Sequence, residues 1–116
     1  MRFTMTVCLL ATLPASAQTF APRPNDIALN DAAIARDVVG QTHTFFDGGR
    51  SFFSISGSYS YTYPDGGIAY GRYELRGGGI VCTFFRHGFE RCDMYVRNAN
   101  RLILINENGD RFPVRQ

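Results

Sequence analysis

The chain has 116 residues, with twelve Arg, no Lys, ten Asp plus Glu, three Cys, no Trp and a formal net charge of +2. A charge balance this near to neutral gives no concentrated basic surface, which argues against nucleic acid as a partner. The lack of Lys excludes Schiff-base chemistry and P-loop phosphate binding.

The chain begins Met1-Arg2, continues through the apolar run Val7-Cys8-Leu9-Leu10-Ala11-Thr12-Leu13, and reaches the small residues of Pro14-Ala15-Ser16-Ala17. This pattern predicts a secretory signal peptide over residues 1–17, cleaved after Ala17. The run is far shorter than the roughly 20 apolar residues of a membrane span, so no span is expected once the signal is removed. Cys8 sits too early, and Leu9 and Leu10 continue the apolar run past it, so a lipoprotein signal is not expected. The predicted localisation is periplasmic or secreted. Arg2 and Cys8 leave with the signal, so eleven Arg face ten acids and two cysteines remain. An even cysteine count in an exported chain predicts one disulfide, Cys82–Cys92.

Residues 18–29 read as a linker, because Pro22 and Pro24 oppose regular structure. Residues 30–116 form a single β-rich domain by length. Its first element is a short helix over 31–39. Asn30 is placed to cap it, Asp31 suits its first turn, and Gly40 suits its end. Ile34 and Val38 stand four apart and share a face.

Beyond Gly40, turn signals arrive every eight to twelve residues, with aromatic and β-branched runs between them. Eight strands follow, over 42–46, 50–55, 58–63, 68–75, 80–86, 90–97, 101–106 and 111–114. The predicted fold is mainly β, an antiparallel meander of about eight short strands forming a small barrel or strongly curled sheet, with one short N-terminal helix.

Turn chemistry extends this to register. Asn108-Gly109 as a two-residue hairpin turn pairs Ile105 with Phe112 and Ile103 with Val114. A turn at Ala99-Asn100 pairs Ile103 with Val96 and Ile105 with Met94; a three-residue loop there would put Leu102 and Leu104 in their place. The disulfide pairs its two strands about His87. Together these place Ile80, Cys82, Phe84, Cys92, Met94, Val96, Ile103, Ile105, Phe112 and Val114 on one apolar face. The opposite face is mixed: Val81, Thr83, Phe85, Arg91, Asp93, Tyr95 and Arg97, with Leu102 and Leu104. The helix or a neighbouring turn is expected to cover those two leucines. A turn at Pro64 to Gly66 sets Tyr61 opposite Ala69 and Tyr59 opposite Gly71. The stripe Tyr59, Tyr61, Tyr63 reads as packing with wet hydroxyls, or as a binding surface for carbohydrate or protein.

No motif supplies a reaction. Cys82, Cys92, His43 and His87 match no standard zinc spacing, and nine residues between the cysteines is not C-x-x-C. His87 lies at a hairpin tip and His43 in a Thr-rich strand, where a structural role is the expectation. No G-x-S-x-G occurs. Residues 106–110 lack the alternating acids of a calcium loop, and Gly77-Gly78-Gly79 is followed by no helix pattern. No catalytic residue, metal or cofactor is assigned.

Gly71-Arg72-Tyr73, followed by Cys82 and Cys92 in consecutive strands, resembles small uncharacterised secreted proteins of alphaproteobacteria. Those carry a signal peptide, a short helix, a G-x-W or G-x-Y strand and a two-cysteine hairpin; the resemblance covers about residues 30 to 114. The chain is also faintly similar to the calycins, in which G-x-W marks a barrel strand and ligands sit inside, though it carries no Trp.

The expected function is a non-enzymatic periplasmic binding or interaction module that takes a protein or envelope component as its partner. Its candidate contact tip is Phe85, Arg86, His87 and Phe89, since aromatic and Arg side chains dominate interface hot spots. The alternative reading of that tip folds its rings back onto the sheet. The alternatives are a small barrel holding an apolar ligand, which requires a cavity on the apolar face, and a hydrolase, which requires a base beside a nucleophile. The oligomeric state is not specified by the sequence.

Overall fold

The computed structural model describes residues 20–116. Residues 1–17, which the sequence pattern reads as a signal peptide and which include Cys8, lie outside the described residues.

The chain enters through β1 (Ile27–Ala28) and α1 (Asp31–Asp37). Asn30 Oδ1 accepts the Ala33 N–H at 2.8 Å and so caps the helix. The helix ends at Asp37, two residues short of the expected end, because the chain turns away to the sheet and the Gly40 N–H bonds Phe53 O at 2.7 Å. Eight strands follow in a meander: β2 (Thr42–Thr44), β3 (Arg50–Phe53), β4 (Ser58–Thr62), β5 (Ile68–Leu75), β6 (Ile80–Phe85), β7 (Glu90–Asn98), β8 (Arg101–Ile105) and β9 (Arg111–Pro113). Each pairs antiparallel with the next. The sheet curls into a half-barrel strongly enough for its edges to touch. Phe45 bridges Val114, and the Arg115 N–H bonds Thr44 O at 2.8 Å. β7 outruns β6, and β1 pairs with its free length at Val96 and Arg97.

Five of the hairpins use one turn. In residues 45–49, 54–58, 63–67, 85–89 and 106–110, the first residue accepts the N–H of the fourth and donates its own to the fifth. The fourth residue is always Gly, with φ between 82° and 96°. This is the three-residue hairpin loop closed by a left-handed bulge, a conformation that favours Gly. In three of the five, the side chain just before that Gly accepts the N–H just after it: Asp47 from Gly49, Asp65 from Gly67 and His87 from Phe89.

Most of the expected register holds. Cys82 faces Cys92, Tyr61 faces Ala69, Tyr59 faces Gly71, and a two-residue turn at Ala99-Asn100, both with positive φ, sets Val96 against Ile103. Cys82 and Cys92 are bonded, with Cα atoms 4.0 Å apart. Gly71 is required by its neighbours as well: a Cβ there would collide with the Phe84 carbonyl.

The last hairpin departs from expectation. Asn108-Gly109 belongs to a three-residue loop, because Asn106 Oδ1 accepts the N–H groups of both Asn108 and Asp110. The register slips by one, so Phe112 faces Leu104 and Pro113 faces Ile103. A one-residue slip moves side chains to the other face. Phe112 and Val114 therefore leave the expected apolar face.

The larger core also lies on the face that reads as mixed. Leu29, Ile34, Val38, Phe45, Phe53, Tyr59, Val81, Tyr95, Leu102, Leu104 and Val114 form one cluster. The rings of Phe53 on β3 and Tyr95 on β7 lie 6.1 Å apart across non-adjacent strands, which makes this the concave face. The helix supplies Ile34 and Val38 to the cluster holding Leu102 and Leu104, as expected. The convex face carries a smaller cluster of Val96, Ile103 and Ile105, with Ile80, Cys92 and Met94 against it.

Residues 20–29 do not behave as a linker. Phe20 is buried on the convex cluster. Asp26 accepts two bonds from Arg111, at 2.7 and 2.8 Å, and one from Asn98. Here the prolines only shape a strap whose anchors are Phe20 and Asp26.

Candidate functional site

Alternation on a curled sheet sends every second side chain inward. The turns 45–49, 63–67, 85–89 and 106–110 all lie at one end of the strands, and the helix lies at the other. Asp31 Oδ1 accepts the Gly77 N–H at 3.1 Å, and Asp37 pairs with Arg97 at 3.2 Å, which fixes the helix there. The turn end keeps a cavity of about 240 Å³.

Its wall is aromatic. Tyr61 and Tyr63 meet edge to face at 5.0 Å. Phe85 packs on the core with its ring 5.8 Å from Tyr59, while His87 and Phe89 lie 5.5 and 6.0 Å from Phe85. Phe112 completes the lining beside Leu104.

Its floor is polar. Arg91 Nε and Nη2 donate to the two Asp93 oxygens at 2.9 and 2.6 Å. Residues two apart on a strand share a face, so both enter the concave side together. Burial pushes the Asp93 carboxyl up, with Arg91 pulling against it. Ser51 Oγ and the Tyr59 hydroxyl bond at 2.9 Å. Burial, opposed by that bond, raises the Tyr59 hydroxyl to about 12. Tyr95 is fully buried and its hydroxyl makes no hydrogen bond within ordinary geometry.

The predicted tip divides. Phe85, His87 and Phe89 line the cavity. Arg86 instead lies over the Tyr70 ring, 5.2 Å from its centroid. His87 occupies the turn position that Asp47 and Asp65 hold elsewhere. Its Nδ1 accepts the Phe89 N–H at 3.2 Å, so the proton of the neutral ring sits on Nε2. That leaves Nε2–H as a donor rather than a base. Cys82 and Cys92 are on the convex side, away from the cavity. His43 is buried near the Asp37 and Val38 carbonyls, and burial holds its imidazole below its ordinary value.

Sequence reasoning missed Arg91, Asp93 and Phe112 as lining residues. The available signal was the Arg-x-Asp spacing on one strand face. Phe112 was hidden by the register slip. Among the described residues, no three His, Cys, Asp or Glu side chains are grouped to hold a metal, and no helix is long and apolar enough to cross a membrane. Comparison of the chain with protein-family models, curated proteins and solved structures finds no match.

Proposed function

We propose that this chain is an exported, non-enzymatic binding module, periplasmic or secreted, whose binding site is the cavity at the turn end of the half-barrel. The observation that carries this reading is the cavity itself: an aromatic wall over a small set of convergent polar groups, which is the usual make-up of a ligand site. Export rests on the pattern of residues 1–17, and the Cys82–Cys92 bond is consistent with an oxidising compartment. The resemblance to small secreted proteins of alphaproteobacteria agrees with both. The tip serves this reading through Phe85, His87 and Phe89, whose rings border the cavity.

An apolar ligand is the weaker reading, because the cavity opens on the mixed face and is floored by an ion pair. A hydrolase is weaker still. Ser51 is bonded to Tyr59, and Nδ1 of His87 is occupied by the Phe89 N–H.

Amide chemical-shift mapping with a library of small molecules tests the proposal. Perturbed residues should concentrate at 59–63, 85–93, 104 and 112. Shifts confined to the convex face, or none with any compound, would refute it.

A further inference from the structure

The ligand's chemistry follows from the charges of the cavity, and this inference rests on the binding reading above. Arg91 and Asp93 neutralise one another through two short bonds. A guanidinium carries five N–H donors, so three remain for another acceptor. The Asp93 oxygens likewise keep lone pairs. Within this pair the charges cancel and hydrogen bonds remain on offer; the lining's other carboxylate, Asp47, has its Oδ1 taken by the Gly49 N–H. A cation entering would meet Arg91, and an anion would meet Asp93 and Asp47. A hydrocarbon would cover these donors and acceptors without replacing their bonds to water, which is costly for charged groups.

The wall asks for a second property. Tyr61 and Tyr63 on β4 and its turn, and Phe85 and Phe89 on β6 and its turn, line the cavity with rings packed against one another in each pair. Ring faces carry negative charge density and attract weakly positive C–H groups. A matching ligand has one C–H face and a rim of hydroxyls. At about 240 Å³, the cavity is smaller than the roughly 300–1,000 Å³ of sites for drug-sized molecules, so one ring fits.

The geometry points to a neutral sugar ring as the ligand, its C–H face against the aromatic wall and its hydroxyls on the Arg91–Asp93 pair. The ring is either a free monosaccharide or the terminal residue of a glycan, with the rest of the chain leaving through the mouth.

Titration followed by amide shifts and calorimetry tests this on the mature chain. The probes are methyl β-glucoside, methyl β-galactoside, cellotriose, glucuronate, glucosamine and cyclohexanol. At least one neutral sugar should bind at the cavity, at least ~10-fold tighter than the charged or apolar probes. Arg91→Gln should weaken it by ~10- to 100-fold, from loss of charged hydrogen bonds. Phe89→Ala, at an exposed rim position, should weaken it by ~2- to 10-fold without affecting folding. The Phe89 variant keeps the test valid should Arg91→Gln unfold. Cellotriose binding ~10-fold tighter than the glucoside assigns a glycan end, and equal affinity assigns a free sugar. Tighter binding of a charged or apolar probe at the cavity overturns the sugar assignment while leaving the binding module intact. Silence from every probe at the cavity, with the fragment library also silent there, overturns both.

Discussion

At the helix end of the half-barrel, Ile34 and Val38 are fully buried and the capping helix is tied to the sheet by Asp31 and Asp37. At the turn end, Tyr63, Phe89 and Phe112 stay 46%, 58% and 41% exposed around an open cavity. The same strands run through both ends, so the contrast comes from what the chain adds to each. One end receives an apolar plug; the other receives four Gly-closed turns and an ion pair. Buried apolar packing is concentrated at the first end, and the candidate site lies at the second. Large stability losses should therefore follow changes at the plug and its fastenings, and small ones should follow changes at the rim.

The largest effect is expected from Ile34→Ala. Removing a fully buried aliphatic side chain from the plug should cost about 4 kcal/mol, read by urea unfolding; a loss under 1 kcal/mol would mean that the helix is not part of the cooperative core. Asp26→Asn breaks the strap's charged contact with Arg111 and should cost about 3 kcal/mol at pH 7. The Asp26 carboxyl is held well below the usual carboxylate range, first by its hydrogen bond from Arg111 and then, against burial, by Asn98. Its contribution is therefore complete above the unfolded pKa near 4 and fades as pH falls toward the folded value. The gap between wild type and Asp26→Asn should shrink below about pH 4, and a gap constant with pH would rule this pair out as its source.

Reducing the Cys82–Cys92 bond opens a short loop and should cost roughly 3 kcal/mol by the chain-entropy estimate. Melting with and without reductant reads it, and an unchanged midpoint would show that the staple has no net effect. Tyr95→Phe removes a buried hydroxyl that lacks a partner, so it should leave stability unchanged or raise it by up to about 1 kcal/mol. A clear loss would show that the hydroxyl is satisfied in solution. Phe89→Ala should change stability by no more than about 0.5 kcal/mol. A larger loss would erase the distinction between the two ends.

Much of the fold is legible residue by residue. Tyr61 opposite Ala69, Cys82 opposite Cys92 and Val96 opposite Ile103 follow from local turn chemistry and appear in the structure. Phe112 does not follow. Asn108-Gly109 suits a two-residue turn, but Asn106 captures two backbone N–H groups and adds a residue to the loop. The same Gly-closed turn recurs four more times, so recurrence was the signal that a single dipeptide lacks. The tip was recognised by its rings, but Arg91 and Asp93 were not recognised as a floor. A charged pair looks alike in sequence whether it faces water or a cavity.

The sequence by itself determined the order and approximate place of the helix and eight strands, most of the hairpin registers and which cysteines meet. These depend on φ preferences, two-residue alternation and short-range hydrogen bonds, all local. Only the tertiary structure decided which face became the inside. Both faces of the strands are partly apolar, and alternation is blind to the direction in which a sheet curls. Curling brings β3 within ring contact of β7 and turns the mixed face inward. There Arg91 and Asp93 become a sheltered pair beneath an aromatic wall, and the site exists because of that one long-range choice.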